Sequence, residues 1–194
     1  MFKQLGLALI ITLISTTLLS AKSEDPIVRL ETSQGDIFIE LYYTQAPITC
    51  KNFLEYVNGD FYDNTIFHRV VQGFVIQGGG YVSGLKNKQT LPPIKNEAHN
   101  KISNKRGTVA MARTREIDSA TSQFFINLAD NQFLDHQNKT KYGYGYAVFG
   151  RVIQGMDIVD KINQVKTSNV GPFQHVPVDD VVINKVTILR QPKK

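Results

Sequence analysis

The spacing of the apolar residues in this chain leaves few folds open to it. Short alternating runs end at glycine or polar turns, and only two stretches keep a helical period. In residues 27–31, Val28 and Leu30 alternate with Arg29 and Glu31, the pattern of a half-buried strand. Residues 36–41 repeat it with Ile37, Ile39 and Leu41, and Gln34-Gly35 between them predicts a hairpin. Further strands are expected at 66–71, 74–77, 108–112, 123–127, 147–152 and 181–189, the last with Val182, Val186 and Ile188 alternating. Cys50, Phe53, Leu54 and Val57 recur at i, i+3, i+4, i+7 behind Pro47, which suits a first helical turn. That helix is expected to end in a left-handed glycine cap at Gly59, with Cys50 on its buried face. A shorter helix behind Gly155 aligns Ile158, Val159 and Ile162. Eight or so short strands with two helices far apart favour a mainly β barrel or sandwich over a βαβ layout. Closing the barrel would remove exposed edges and leave two ends for the helices. No repeat or linker divides residues 22–194, which read as one domain.

Residues 1–21 are of another kind. Lys3 is their only charge, an apolar stretch runs to Leu19, and small Ser20 and Ala21 precede polar Lys22, Ser23, Glu24 and Asp25. This is the order of a secretory signal peptide, with cleavage expected after Ala21. The stretch is short for a membrane span of about 20 residues, although an uncleaved anchor is the competing reading. A periplasmic, or alternatively secreted, mature protein with no membrane attachment is expected.

Composition narrows the chemistry. The single cysteine among 194 residues excludes an intrachain disulfide and any cysteine-based metal site. A formal charge of +5 without a run of like charges gives no reason to expect nucleic-acid binding. His68, His99, His136 and His175 lack metal-ligand spacing, so no metal is expected. Gln77-Gly78-Gly79-Gly80 lacks the Lys-Ser/Thr ending of a phosphate loop and reads as a turn. What remains is a group of neutral side chains around one arginine. Strand alternation puts Arg69 and Val71 on one face, and Phe74, Gln77, Gln123 and Phe125 add rings and amides. Arg69 is then either a surface charge or the fixed cation of a shallow apolar pocket. Such a pocket could grip an apolar peptide residue and hydrogen-bond its backbone.

Residues 67–79, FHRVVQGFVIQGG, together with 107–113 (GTVAMAR), 122–126 (SQFFI), 133–135 (FLD) and 146–150 (YAVFG), resemble the cyclophilin family of peptidyl-prolyl cis–trans isomerases. The resemblance spans about residues 25–189, and the overall pattern, signal peptide included, is similar to the bacterial periplasmic branch. It implies a closed eight-stranded antiparallel barrel capped by two helices, acting without cofactor or metal on proline-containing polypeptides, and a monomer is expected.

The resemblance also implies roles. Arg69 would be the catalytic arginine. Phe74, Val75, Phe125 and Leu134 would line the proline pocket, and Gln77 would bond the substrate backbone. Ala112, Arg113 and Gln123 would flank the peptide groove. Val75 stands where methionine is common, Phe133 where many eukaryotic members carry Trp, and Tyr146 where those members carry His. Residues 139–145 look like a small insertion beside Tyr146. Without an indole N–H at Phe133, only weak binding of cyclosporin is expected.

Overall fold

A computed structural model describes residues 25–192. The expected leader, residues 1–21, lies outside that range.

The first hairpin forms as its pattern predicts. β1 (Ile27–Thr32) and β2 (Gly35–Leu41) pair antiparallel with Leu30 opposite Ile37. Val28, Leu30, Ile37, Ile39 and Leu41 are fully buried. The Thr32 hydroxyl donates to Gly35 O at 2.6 Å and accepts from Gln34 N–H at 3.1 Å, which fixes the turn. Helix α1 (Pro47–Asn58) follows. The chain then runs through β3 (Thr65–Ile66), β4 (Arg69–Val71), β5 (Val75–Gly78), β6 (Tyr81–Val82), β7 (Lys86–Asn87), β8 (Thr108–Met111), β9 (Phe124–Asn127) and β10 (Val148–Gln154). Helix α2 (Met156–Asn163), the pair β11 (Thr167–Val170) and β12 (Phe173–Pro177), and β13 (Val182–Arg190) complete it.

Eleven of these strands form one antiparallel sheet in the order β4-β5-β9-β8-β10-β2-β1-β13-β3-β6-β7. β4 pairs with β5 while β3 pairs with β13, yet β3 and β4 are consecutive in residues 65–71. Both flanks of the sheet therefore converge on one short piece of chain, and the sheet curls. The mainly β class with two helices stands, but the count of eight strands is corrected to thirteen among the described residues. The reason is local. The expected strand 66–71 is interrupted at Phe67-His68, where the ladder changes partner and Phe67 N–H donates to Val181 O at 2.9 Å. The short hairpin arms β6–β7 and β11–β12 lack the apolar alternation that would announce them.

The interior is aromatic. Phe53 of α1 meets Phe124 edge-on at 5.6 Å and Phe149 at 5.2 Å, and Tyr62 lies 5.0 Å from Phe53. Cys50 is buried, donates to Phe149 O at 3.4 Å, and burial pushes its thiol pKa far up, which suits a small apolar side chain. α2 packs on β2, β4 and β5 through Val159 and Ile162. Two expectations fail here. Gly59 does end α1, its N–H donating to Glu55 O at 3.1 Å, but at φ −91° it is not left-handed; Asp60 takes φ 51° instead. In β13 Ile183, not Val182, is fully buried. A bulge sets Glu31 opposite Lys185 and Thr32 opposite Ile183, and the extra residue shifts the alternation.

Candidate active site

Four side-by-side strands build the site. Arg69 on β4 faces Gln77 on β5, Gln77 faces Phe125 on β9, and Phe125 faces Ala110 on β8. Alternation sends Ile76, Phe124 and Ile126 into the main core. Val75, Ala110, Phe125 and Val148 form a second, smaller apolar cluster, with Phe74, Ala112, Leu134 and Tyr146 packed against it. The sheet thus buries one face in the core and uses the other for a pocket. That cavity, about 200 Å³, is lined by Arg69, Phe74, Val75, Gln77, Ala112, Arg113, Phe125, Leu134 and Tyr146.

The polar rim is ordered as a relay. Arg69 Nη1 donates to Gln77 Oε1 at 3.3 Å, and Gln77 Nε2 donates to Gln123 Oε1 at 3.0 Å. Gln123 does not line the cavity; it orients the residue that does. Arg69 is half-buried, and no carboxylate pairs with it among the described residues. Burial lowers its pKa, offset in part by the Tyr146 hydroxyl, yet an arginine keeps its charge at any working pH. Behind it His68 is buried against Tyr81, ring centroids 4.6 Å apart, with Nδ1 lacking a partner among the described residues. Desolvation, and next the neighbouring Arg69 charge, hold its pKa down at about 4, so His68 is neutral at pH 7.

The remaining wall comes from the 3₁₀ turn Gln132–Leu134. Leu134 reaches the cavity, whereas Phe133 stays 67% exposed and stacks on Phe74 at 5.6 Å and 20°. Phe133 is therefore a lip of the site and not part of its floor. Two residues to which the sequence assigned no role, Asn131 and Asp135, hold this turn. Asn131 Nδ2 donates to Phe74 O at 3.0 Å, and the Asp135 carboxylate accepts from Ser103 Oγ, Asn104 N–H and Asn104 Nδ2. On the far side Phe125 meets Tyr146 edge-on at 5.6 Å, and the Arg113 guanidinium lies 4.9 Å over the Tyr146 ring. Arg113 also donates to Gly145 O at 2.9 Å and Lys141 O at 3.0 Å, which ties segment 139–145 to the cavity wall. Among the described residues no three His, Cys, Asp or Glu side chains converge as a metal site would require. Chemically, the arrangement can hold an apolar ring under one fixed cation, with a neutral amide beside it.

Residues 27–188 match the model of the cyclophilin-type peptidyl-prolyl cis–trans isomerase family. The chain belongs to the cyclophilin family. Over 188 residues it is 52% identical to peptidyl-prolyl cis-trans isomerase A of Dickeya dadantii, covering 95% of this chain and 97% of that one. It is 53% identical over 161 residues to peptidyl-prolyl cis-trans isomerase B of Escherichia coli, covering 83% and 98%. A solved cyclophilin-type isomerase of Cryptosporidium parvum, crystallised in the presence of the dipeptide Ala-Pro, superposes with a TM-score of 0.73 at 28% identity, covering 85% of this cyclophilin and 99% of that chain. This cyclophilin is accordingly a peptidyl-prolyl cis–trans isomerase.

Proposed function

We propose that this cyclophilin turns X–Pro bonds of exported polypeptides, and that Arg69 does so by donating a hydrogen bond to the proline nitrogen as it leaves the amide plane. Amide resonance sets a barrier of about 18–20 kcal/mol, and uncatalysed X–Pro exchange takes tens to hundreds of seconds. As the C–N bond twists, the nitrogen loses conjugation and its lone pair becomes a hydrogen-bond acceptor. A donor aimed there binds the twisted state better than either planar isomer. Arginine suits the task because its charge is permanent and its donors are rigidly forked.

The observation that carries this reading is the half-buried Arg69, free of any carboxylate partner among the described residues, on the rim of a cavity walled by Phe74, Val75, Phe125 and Leu134. A carboxylate neighbour would compete for the guanidinium; the neutral amide of Gln77 holds it without cancelling its charge. One preorganised donor contributes about 3–4 kcal/mol, a few hundredfold. A gain of about 10⁵ needs roughly 7 kcal/mol, so positioning must supply the rest. Phe74, Val75, Phe125 and Leu134 would hold the proline ring while Gln77 fixes the backbone. No covalent intermediate is required.

Exchange NMR on a short X–Pro peptide tests the activity, reading both directions without a coupled protease. Catalysed exchange is expected. Peptide binding without faster exchange would instead mark a binding module. Export rests on the Lys3–Leu19–Ala21 layout, with residues 22–194 as the mature domain. Intact-mass analysis of a periplasmic fraction should find a chain starting at or near Lys22; a full-length chain in the membrane fraction would refute cleavage.

A further inference from the structure

Beside the 200 Å³ cavity lies a second one of about 450 Å³, walled by residues 113–116 on one side and by Lys141, Tyr142 and Tyr146 on the other. The two cavities share Arg113 and Tyr146. We propose that the second cavity takes a carboxylate side chain of the client, so that the enzyme prefers prolines with Asp or Glu nearby. The inference rests on the isomerase reading of the first cavity. The reach is within about three residues of the proline, since an extended chain advances roughly 3.3–3.6 Å per residue.

Charge is the first argument. Arg113, Arg115 and Lys141 line the cavity against a single carboxylate, Glu116, which pairs with Lys141. Arg115 is exposed and has no carboxylate partner among the described residues. Arg113 is held only by carbonyl oxygens, those of Gly145, Thr114, Arg115 and Lys141, and by the face of Tyr146. Carbonyl dipoles fix its position and leave its net charge standing. A concave wall carrying uncompensated cations concentrates positive potential where an anion would sit.

Rigidity is the second. The loop carrying Lys141 is stitched down at both ends. Gly145 O also accepts from Asn96 Nδ2 at 3.2 Å, and Asn138 Oδ1 accepts from Thr140 N–H at 3.0 Å. Asn138 N–H in turn donates to Gly143 O at 3.0 Å. Arg113, held by four carbonyl oxygens, is a preorganised cation, which gives more selectivity than a loose surface lysine because less side-chain freedom is lost when the anion binds.

The test uses the mature protein and a set of peptides with one X–Pro bond. Glu, Gln or Lys is placed in turn at each of the three positions on either side. Isomerisation is read by exchange NMR and affinity by calorimetry. The expected result is a Glu-over-Gln preference of about three- to tenfold at one position at low ionic strength, and Lys disfavoured there. The preference should shrink as salt shortens the screening length to about 10 Å at 0.1 M. Arg115→Gln should bring the ratio toward one, and Glu116→Gln, which releases Lys141, should raise it. Equal handling of Glu and Gln at all six positions, with both isomerised, overturns this inference and leaves the isomerase reading intact. If no peptide is isomerised, the isomerase reading falls, and the calorimetric Glu-to-Gln ratio decides the inference by itself.

Discussion

Gly80→Ala is expected to weaken catalysis without touching any residue of the cavity. Gly80 is buried, and its φ is outside the left-handed region, so alanine is acceptable to the backbone. The obstacle is steric. A methyl group built there would lie 2.5 Å from Gln123 Cγ and 2.8 Å from Gln123 Cδ. No real Cβ tolerates such contacts, and the offending atoms include the inner part of the side chain, so Gln123 must swing away. The bond from Gln77 Nε2 to Gln123 Oε1 is then lost, and with it the restraint on the amide that accepts from Arg69. Gln77 is only half-buried, so water replaces the missing partner. The net loss is about 0.5–1.5 kcal/mol, a two- to tenfold drop in kcat/KM. Exchange NMR on one X–Pro peptide measures it, with circular dichroism confirming the fold. Gln123→Ala should reproduce the loss. The double variant should be no worse than Gln123→Ala alone, because the clash partner is gone. Full activity in Gly80→Ala, or additive losses in the double variant, would refute the relay.

Phe133→Trp should tighten cyclosporin binding about 5- to 20-fold by calorimetry, since the exposed lip would gain an indole donor at the low end of a buried hydrogen bond's worth; no change would pass control to Tyr146 or to residues 139–145. His68 takes its proton near pH 6.5 when unfolded but only at about 4 when folded, so the unfolded chain binds more protons between those values and stability falls as the pH drops through them. The loss is about 3 kcal/mol, and urea unfolding from pH 7 to 4 should show a flatter profile in His68→Gln; identical profiles would contradict it. Glu97→Ala should cost about 3 kcal/mol in urea unfolding, because the Glu97 carboxylate accepts from Ile48 N–H, Thr49 N–H and Thr49 Oγ1 at the start of α1; a cost under about 1 kcal/mol would mean water caps the helix equally well.

That last contact shows where sequence reading stops. Pro47 and the Cys50–Val57 face announce α1, but no local residue caps it, and its cap comes from Glu97, 48 residues from Thr49. Alternation and helix period are local signals, and they located the hairpin, both helices and most sheet strands. They fail where the chain changes partner, as at Phe67-His68, and where a bulge resets the phase, as at Ile183. For the site, strand alternation alone set Arg69 and Val71 on one face. Phe74, Gln77 and Phe125 were legible beside Arg69 as rings and amides, the family motifs added the remaining pocket residues, and nine of the eleven named line one cavity. Gln123 behind Gln77, Phe133 on the lip, and the Asn131–Asp135 turn depend on long-range hydrogen bonds that no spacing encodes. The basic cavity between residues 113–116 and Lys141 was equally hidden, because its cations come from two separate loops.

Arg69→Ala in exchange NMR shows whether Arg69 acts on the twisted state alone. If the guanidinium meets only the pyramidal nitrogen, kcat and kcat/KM fall together by about 10²- to 10³-fold while KM stays nearly constant. Arg69→Lys should recover little, since an ammonium lacks the fork and the reach. Phe125→Ala serves as the contrast: its cavity wall also holds the planar ground state, so KM should rise. Should Arg69→Ala keep more than about a third of the wild-type rate, less than about 1 kcal/mol has been lost, and Arg69 is a groove-lining charge instead of the catalytic residue.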